Sequence, residues 1–154
     1  MGIQVINTNR QYRINESLVK NIIADILTFI KKPGTADIEL VFMDNKAIRA
    51  FNKRYKGADR PTDVLSFGID RAELGEEKFL GEIFISIDKA LENSKAFKTE
   101  FTDELVRYII HGILHLFGYD DSTEKERARM SKKETKVLND LCIRRTLSKV
   151  LTPR

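Results

Sequence analysis

The sequence predicts an α+β fold closed as a single domain, on three observations. Four short stretches carry the apolar, partly alternating pattern of strands. Five longer ones repeat apolar residues at helical spacing. The 154 residues suffice for one hydrophobic core and contain no linker, internal repeat or low-complexity tract. In chain order, Ile3 to Ile6 reads as a strand. Asn15 is placed to cap a helix whose Leu18, Ile22, Ile26, Phe29 and Ile30 form one apolar face, stopped by Pro33-Gly34. Ile38 to Met43 reads as a second strand, with Ile38, Leu40 and Phe42 alternating against Glu39. Asp44 or Asn45 caps a helix carrying Ile48 and Phe51 that ends near Gly57. Val64 to Ile69 and Leu80 to Ile87 read as two more strands, and the charged Asp70 to Lys78 between them as a loop. Asp88 opens a short helix over about Lys89 to Phe97. Thr102 caps a long one through Leu116, and Gly118 suits its left-handed C-terminal position. Ser122 to Val150 reads as a last amphipathic helical stretch with Met130, Val137, Leu138, Leu141 and Ile143. Cys142 is read as a buried apolar position on it. Ser122 with Lys125 three residues on is not a capping box, so the start of this helix stays open.

Composition narrows the function classes. With 42% apolar and 32% charged residues the chain is neither disordered nor a membrane protein. Its longest uncharged apolar-leaning stretch, Tyr108 to Tyr119, has 12 residues and two histidines, whereas a bilayer span needs about 20 apolar residues. The opening MGIQVINTNR has no secretory pattern, and one cysteine forms no intrachain disulfide, so a cytoplasmic protein is expected. The net charge of +4 is uneven: residues 122–154 hold ten Lys/Arg against four Asp/Glu. A second basic knot comprises Lys46, Arg49, Lys53, Arg54, Lys56 and Arg60, opposed by Asp59. Such clusters favour a polyanion such as RNA, although each alone also fits a solvated helix surface.

The chemistry lies on the long helix. It is apolar on most sides, so it is expected to be buried, yet Glu104, Arg107, His111 and His115 make one polar stripe at spacings of three, four and four. Histidines four residues apart project from one face, one turn apart, and can bind one metal. Gly118 lets the chain turn, and Asp121 can return as a third ligand; Asp120 competes, with the spacing favouring Asp121. The string His111-x-x-x-His115-x-x-Gly118-x-x-Asp121 has the long zincin spacing with a carboxylate in the last place. Three protein ligands leave a position open for water, as a catalytic metal requires. Zinc proteases carry their general base at the residue after the first histidine, which here is Gly112 and moves no proton. A glycine inside a helix is expected where another backbone or a substrate approaches closely. Ser66 and Ser86 lack a nucleophile's context and read as strand positions.

His111-Gly-Ile-Leu-His115-Leu-Phe-Gly118-Tyr119-Asp120 resembles the signature of the YbeY family of bacterial rRNA maturation factors. Tyr55 to Phe67, reading YKGADRPTDVLSF, is similar to a second family segment. Leu80-Gly81-Glu82-Ile83 with Ile85-Ser86 looks like a third, and Met130 and Glu134 stand where the family places the same types. The resemblance runs from about residue 50 to 138. It implies a mixed sheet of about four strands flanked by helices, with a zincin-like histidine helix at the centre. It also implies a metal-dependent, single-strand-specific endoribonuclease acting in small-subunit rRNA 3′-end maturation and ribosome quality control. Its partners would be single-stranded rRNA, the small ribosomal subunit and that subunit's assembly factors.

The chain departs from the family pattern in places. Asp121 stands where a third histidine is usual, so two neutral imidazoles and a carboxylate leave a divalent site at about +1 instead of +2. Lys56 stands where arginine is usual and cannot grip a phosphate bidentately. Ala58 and Gly68 replace a frequent lysine and a proline.

On this reading His111, His115 and Asp121 hold one divalent ion, expected to be zinc, although the ligand types also admit manganese or iron. Lys56 and Arg60 are the expected catalytic cations, and Lys53 and Arg54 the expected binders of flanking phosphates. Tyr55 and Phe67 are either stacking platforms or core, and Thr62 and Asp63 either orient ligands or form a simple turn. The rivals are a non-enzymatic assembly factor with a structural metal, a zinc peptidase or amidase, and an iron oxygenase.

Overall fold

A computed structural model describes residues 2–69, 75 and 79–154. Its elements are β1 (Ile3–Asn7), β2 (Tyr12–Ile14), α1 (Glu16–Phe29), β3 (Ala36–Met43), α2 (Asn45–Lys56) and β4 (Val64–Ile69). Then come β5 (Phe79–Ser86), α3 (Ile87–Phe97), α4 (Phe101–Leu116), α5 (Glu124–Arg144), a 3-10 turn (Leu147–Lys149) and β6 (Leu151–Pro153). The main sheet is mixed, in the order β1-β3-β5-β4. β1 and β5 run parallel to β3, while β4 is the antiparallel edge, with Ser66 opposite Ile83. The expected four-stranded mixed sheet with flanking helices is the fold.

Strand alternation sorts the core into two layers. Ile38, Leu40 and Phe42 of β3 and Ile83 and Ile85 of β5 face a large core shared with α1, α4 and α5. The intervening Val41, Met43 and Phe84 face a smaller cluster under α2, with Ile48 and Leu65. Central parallel strands buried on both faces are the usual consequence of helices on both sides. α4 is the centre of the large core: Leu105, Val106, Ile109, Ile110, Ile113 and Leu114 are fully buried.

Most boundaries follow local chemistry. Asn15 caps α1 through a bond from Leu18 N (3.1 Å), and Asp44, not Asn45, caps α2 through Ala47 N (2.8 Å). Several expectations need correction. β5 ends at Ser86, because the Ser86 hydroxyl accepts from Lys89 N and so starts α3 at Ile87, one residue before Asp88. The cap of α4 is Glu100 rather than Thr102, without a side-chain bond. α5 does begin with a capping box, one residue after Ser122: Thr123 and Glu126 exchange side-chain and backbone bonds. That helix stops at Arg144, short of Val150, and presents Met130, Val137 and Leu141 inward. Cys142 and Ile143 come next on the turn and point to solvent, Ile143 with 86% of its surface exposed, against the reading of both as apolar-face positions. The antiparallel ribbon of β2 and β6 has no sequence signature, since three-residue strands carry no period. Apart from Gly75, the loop expected at 70–78 lies outside the described residues. Among the described residues, no helix is long and apolar enough to cross a membrane.

Candidate metal centre and adjoining cavities

α4 brings the polar stripe to the open end of the core. It can lie close on the sheet because Gly112 has no side chain: a Cβ there would stand 2.7 Å from Ile83 Cγ2 and 3.1 Å from Ser66 Oγ. Ser66 uses that proximity to donate a hydrogen bond to the Gly112 carbonyl (2.9 Å). The approaching group is thus a pair of strand side chains. The position that holds the base in a zinc peptidase faces the sheet and is sterically closed.

The two imidazoles project from the neighbouring face of α4, their ring centroids 4.7 Å apart, with 24% (His111) and 27% (His115) of each side chain exposed. After α4, Gly118 adopts φ +93°, a conformation that favours glycine, and the chain reverses. Asp121 Oδ2 thereby comes within 3.3 Å of His115 Nε2 and 3.6 Å of His111 Nε2. One ligand atom from each of the three residues lies within 4.8 Å of the others. Asp120 instead lines a separate cavity with Glu126 and Arg129, so geometry separates the two competing aspartates as the spacing did.

Buried Glu134 of α5 supports the cluster. Its Oε2 is 2.5 Å from His111 Nδ1, and its Oε1 accepts from Arg107 Nε (3.1 Å). A carboxylate only accepts here, so Nδ1 carries the proton and Nε2 is left to bind a cation. Burial pushes the His111 pKa down, but the bond and charge of Glu134, with the charges of Asp63 and Asp121, outweigh it and raise the pKa. Arg127 Nη1 donates to the Asp121 and Ser122 carbonyls (3.2 Å each), tying the returning loop to α5. Sequence reasoning noted Arg107 only as part of the stripe and Glu134 only through the family resemblance. Arg127 carried no signal beyond membership of a basic segment.

Two cavities meet at these residues. One, of about 310 Å³, is lined by Lys56, Thr62, Asp63, Ser66 and the three candidate ligands. The other, of about 590 Å³, opens on the far side of His111, between α3, α4 and α5. Of the expected cations, Lys56 lines the first cavity, its Nζ 5.6 Å over the Phe67 ring. Arg60 is exposed and is not among the lining residues. Lys53 and Arg54 are exposed on α2, Lys53 at 4.0 Å from Asp59 and Arg54 over the Tyr55 ring. Tyr55 is 52% exposed, and half-buried Phe67 packs on the small core. Thr62 and Asp63 bond locally, Thr62 Oγ1 and Val64 N both donating to Asp63 Oδ1. Ser66 and Ser86 have structural partners.

The chemistry of the site fits a divalent ion of borderline softness: two imidazole nitrogens and one carboxylate oxygen, one imidazole held by an orienting carboxylate.

Comparison with known proteins agrees with this picture. The family model described as "Endoribonuclease YbeY" matches residues 4–142. A relative named endoribonuclease YbeY from Alkaliphilus metalliredigens is 33% identical over 148 residues, covering 92% of this chain and 96% of its own. One from a Thermoanaerobacter species is 35% identical over 159, covering 93% and 100%. One from Geobacillus kaustophilus is 39% identical over 130, covering 78% and 82%. The solution structure of TM1509 from Thermotoga maritima superposes with a TM-score of 0.61 at 28% identity, covering 90% of this chain and 88% of its own.

Proposed function

The chain belongs to the YbeY endoribonuclease family, and from that premise we propose that it is a metal-dependent hydrolase that cuts single-stranded RNA internally. The observation that carries the reading is the convergence of His111, His115 and Asp121 on one point beside a cavity that Lys56 also lines. His111, His115 and Asp121 hold the ion, zinc by ligand type, while Glu134 fixes the His111 tautomer and Arg127 holds the Asp121 loop. When bound, such an ion supplies Lewis-acid polarisation of a phosphoryl oxygen and lowers the pKa of water. Lys56 neutralises charge building on the phosphate; as a point charge it does so without the bidentate grip of an arginine. Arg60, exposed on the turn that follows α2, is the second cation offered to that phosphate, and Lys53 and Arg54 hold phosphates further along the strand. The cellular substrate on this reading is the 3′ region of small-subunit rRNA, met on the assembling subunit in the cytoplasm.

Two features support this reading over its rivals. Among the described residues the cluster contains three candidate ligands and adjoins open space, unlike a closed four-ligand structural site. The closed Gly112 position removes the base of a zinc peptidase. The test uses one RNA sequence offered single-stranded and as a duplex, with chelator and then zinc or manganese added back. Internal cutting of the single strand that is lost with chelator and restored by metal is expected. Cutting indifferent to chelator, or equal cutting of the duplex, overturns the proposal.

A further inference from the structure

The two cavities differ in chemistry. The smaller has the Lys56 ammonium in its wall and suits a phosphate. The larger, about 590 Å³, is lined by four carboxylates against two guanidiniums, Arg107 and Arg127. Both guanidiniums are engaged: Arg107 with Glu134, Ser131 and Thr135, and Arg127 with two backbone carbonyls. The lining therefore offers a phosphate no unengaged cationic donor. At its mouth stands Phe97, 66% exposed and with no aromatic partner among the described residues. Below it, Asn93 Nδ2 donates to Tyr108 Oη (2.5 Å), and Asn93 Oδ1 makes no hydrogen bond among the described residues. Burial pushes the Tyr108 phenol far above its ordinary pKa, the Asn93 bond opposing the shift and the charges of Asp63 and Glu104 adding to it, so the hydroxyl stays protonated.

A flat exposed ring, a side-chain amide with its acceptor unengaged and a surround of carboxylates are the elements that read a nucleobase. We infer that the cavity between α3, α4 and α5 is a base pocket. It receives the nucleotide next to the cut phosphodiester, stacks its base on Phe97 and, through Asn93, selects bases with an amino group at purine C6 or pyrimidine C4, where guanine and uracil carry a carbonyl. Adenine and cytosine present an N–H donor to Asn93 Oδ1 and the carboxylates. Uracil presents a carbonyl at the corresponding edge and is disfavoured. The inference rests on the RNA reading for its biological sense, but the pocket is testable without cleavage. Phe97 and Asn93 would then be specificity residues.

The probes are adenosine, cytidine and uridine, which carry no phosphate, titrated into the full chain and followed by backbone amide NMR of the residues that line the cavity. Saturable shifts with adenosine and cytidine, at least several-fold tighter than with uridine, are expected. Phe97→Ala is well placed as a variant because the ring is exposed, and it should weaken both by about tenfold. Asn93→Asp keeps an acceptor and should preserve the preference, whereas Asn93→Leu should flatten it. No saturable shift among the cavity residues, equal binding of all three nucleosides, or binding unaltered by Phe97→Ala overturns the pocket. RNA cutting is scored separately on oligonucleotides varied at the nucleotides flanking the cut. Cutting with no nucleoside binding sinks the pocket alone, and nucleoside binding by a chain that cuts no RNA sinks the nuclease reading alone.

Discussion

Glu134 Oε2 lies 2.5 Å from His111 Nδ1, although the two residues are 23 apart in sequence and on different helices. This contact presents the other imidazole nitrogen to the Asp121 carboxylate and links α5 to the candidate metal centre. Removing it should loosen the ion without unfolding the domain. Glu134→Ala is expected to weaken zinc binding by roughly 10–100-fold, the usual cost of losing a carboxylate that orients a ligating histidine. Competition with a chromophoric chelator measures the affinity, and circular dichroism checks the fold.

The same contact sets a pH dependence. In the metal-free protein the His111 pKa is raised. The stability contributed by its protonated form is therefore fully present below the unfolded value of about 6.5 and is lost as pH rises through the higher folded value. Protons and metal compete for Nε2, so zinc affinity should climb with pH over that window. Titration by NMR in metal-free protein should find the His111 pKa lower in Glu134→Gln than in the parent. An unchanged value would remove Glu134 from this role.

Asp121 and Asp120 are distinguishable by substitution. Asp121→Ala should lower zinc affinity by more than the roughly 10–100-fold that loss of an orienting partner costs. Asp120→Ala, altering a residue on a separate cavity, should leave it unchanged. Asp121→His should retain one ion per chain, since imidazole serves zinc as well. Isothermal titration of metal-free protein with zinc reads all three.

Gly112 is a packing requirement. Gly112→Ala gains roughly 0.8–1 kcal/mol of helix propensity, yet its Cβ meets Ile83 Cγ2 at 2.7 Å. That methyl branches next to the backbone and cannot swing clear. Overpacking of this kind costs about 1–3 kcal/mol, so a net fall in stability is expected. Thermal unfolding should show a lower Tm for Gly112→Ala. In the Ile83→Ala background the same substitution should cost less.

Lys56 and Arg60 should separate in kinetics. Lys56 lines the cavity that holds the three candidate ligands, and Arg60 does not. Lys56→Ala should lower kcat on single-stranded RNA by about 100-fold, in line with removal of one charge-stabilising group, and Lys56→Arg should recover most of it. Arg60→Ala should act mainly on KM. Steady-state kinetics on a short labelled RNA distinguishes the two.

The legible parts of this protein were those with a period or a fixed spacing. Alternation in Ile38, Leu40 and Phe42 marks β3, and the spacing of His111, His115, Gly118 and Asp121 marks the candidate ligands, because helix geometry puts the two imidazoles on one face and the turn at Gly118 brings Asp121 back to them. Caps were less legible. Ser122 and Thr123 are adjacent cap-competent residues, and only the pairing of Thr123 with Glu126 decides between them. The ribbon of β2 with β6 and the bond from His111 to Glu134 join residues far apart in the chain, and no local pattern encodes such distances. Exposure at Cys142 and Ile143 depends on where α5 meets the core, which composition does not state.

The most direct measurement is anomalous diffraction at the zinc edge from crystals grown with zinc. One peak per chain is expected, about 2.0–2.2 Å from His111 Nε2, His115 Nε2 and an Asp121 oxygen, and absent in His115→Ala. A map with no peak among these side chains, or with the ion bound elsewhere and retained in His115→Ala, would contradict the metal centre and the hydrolytic function built on it.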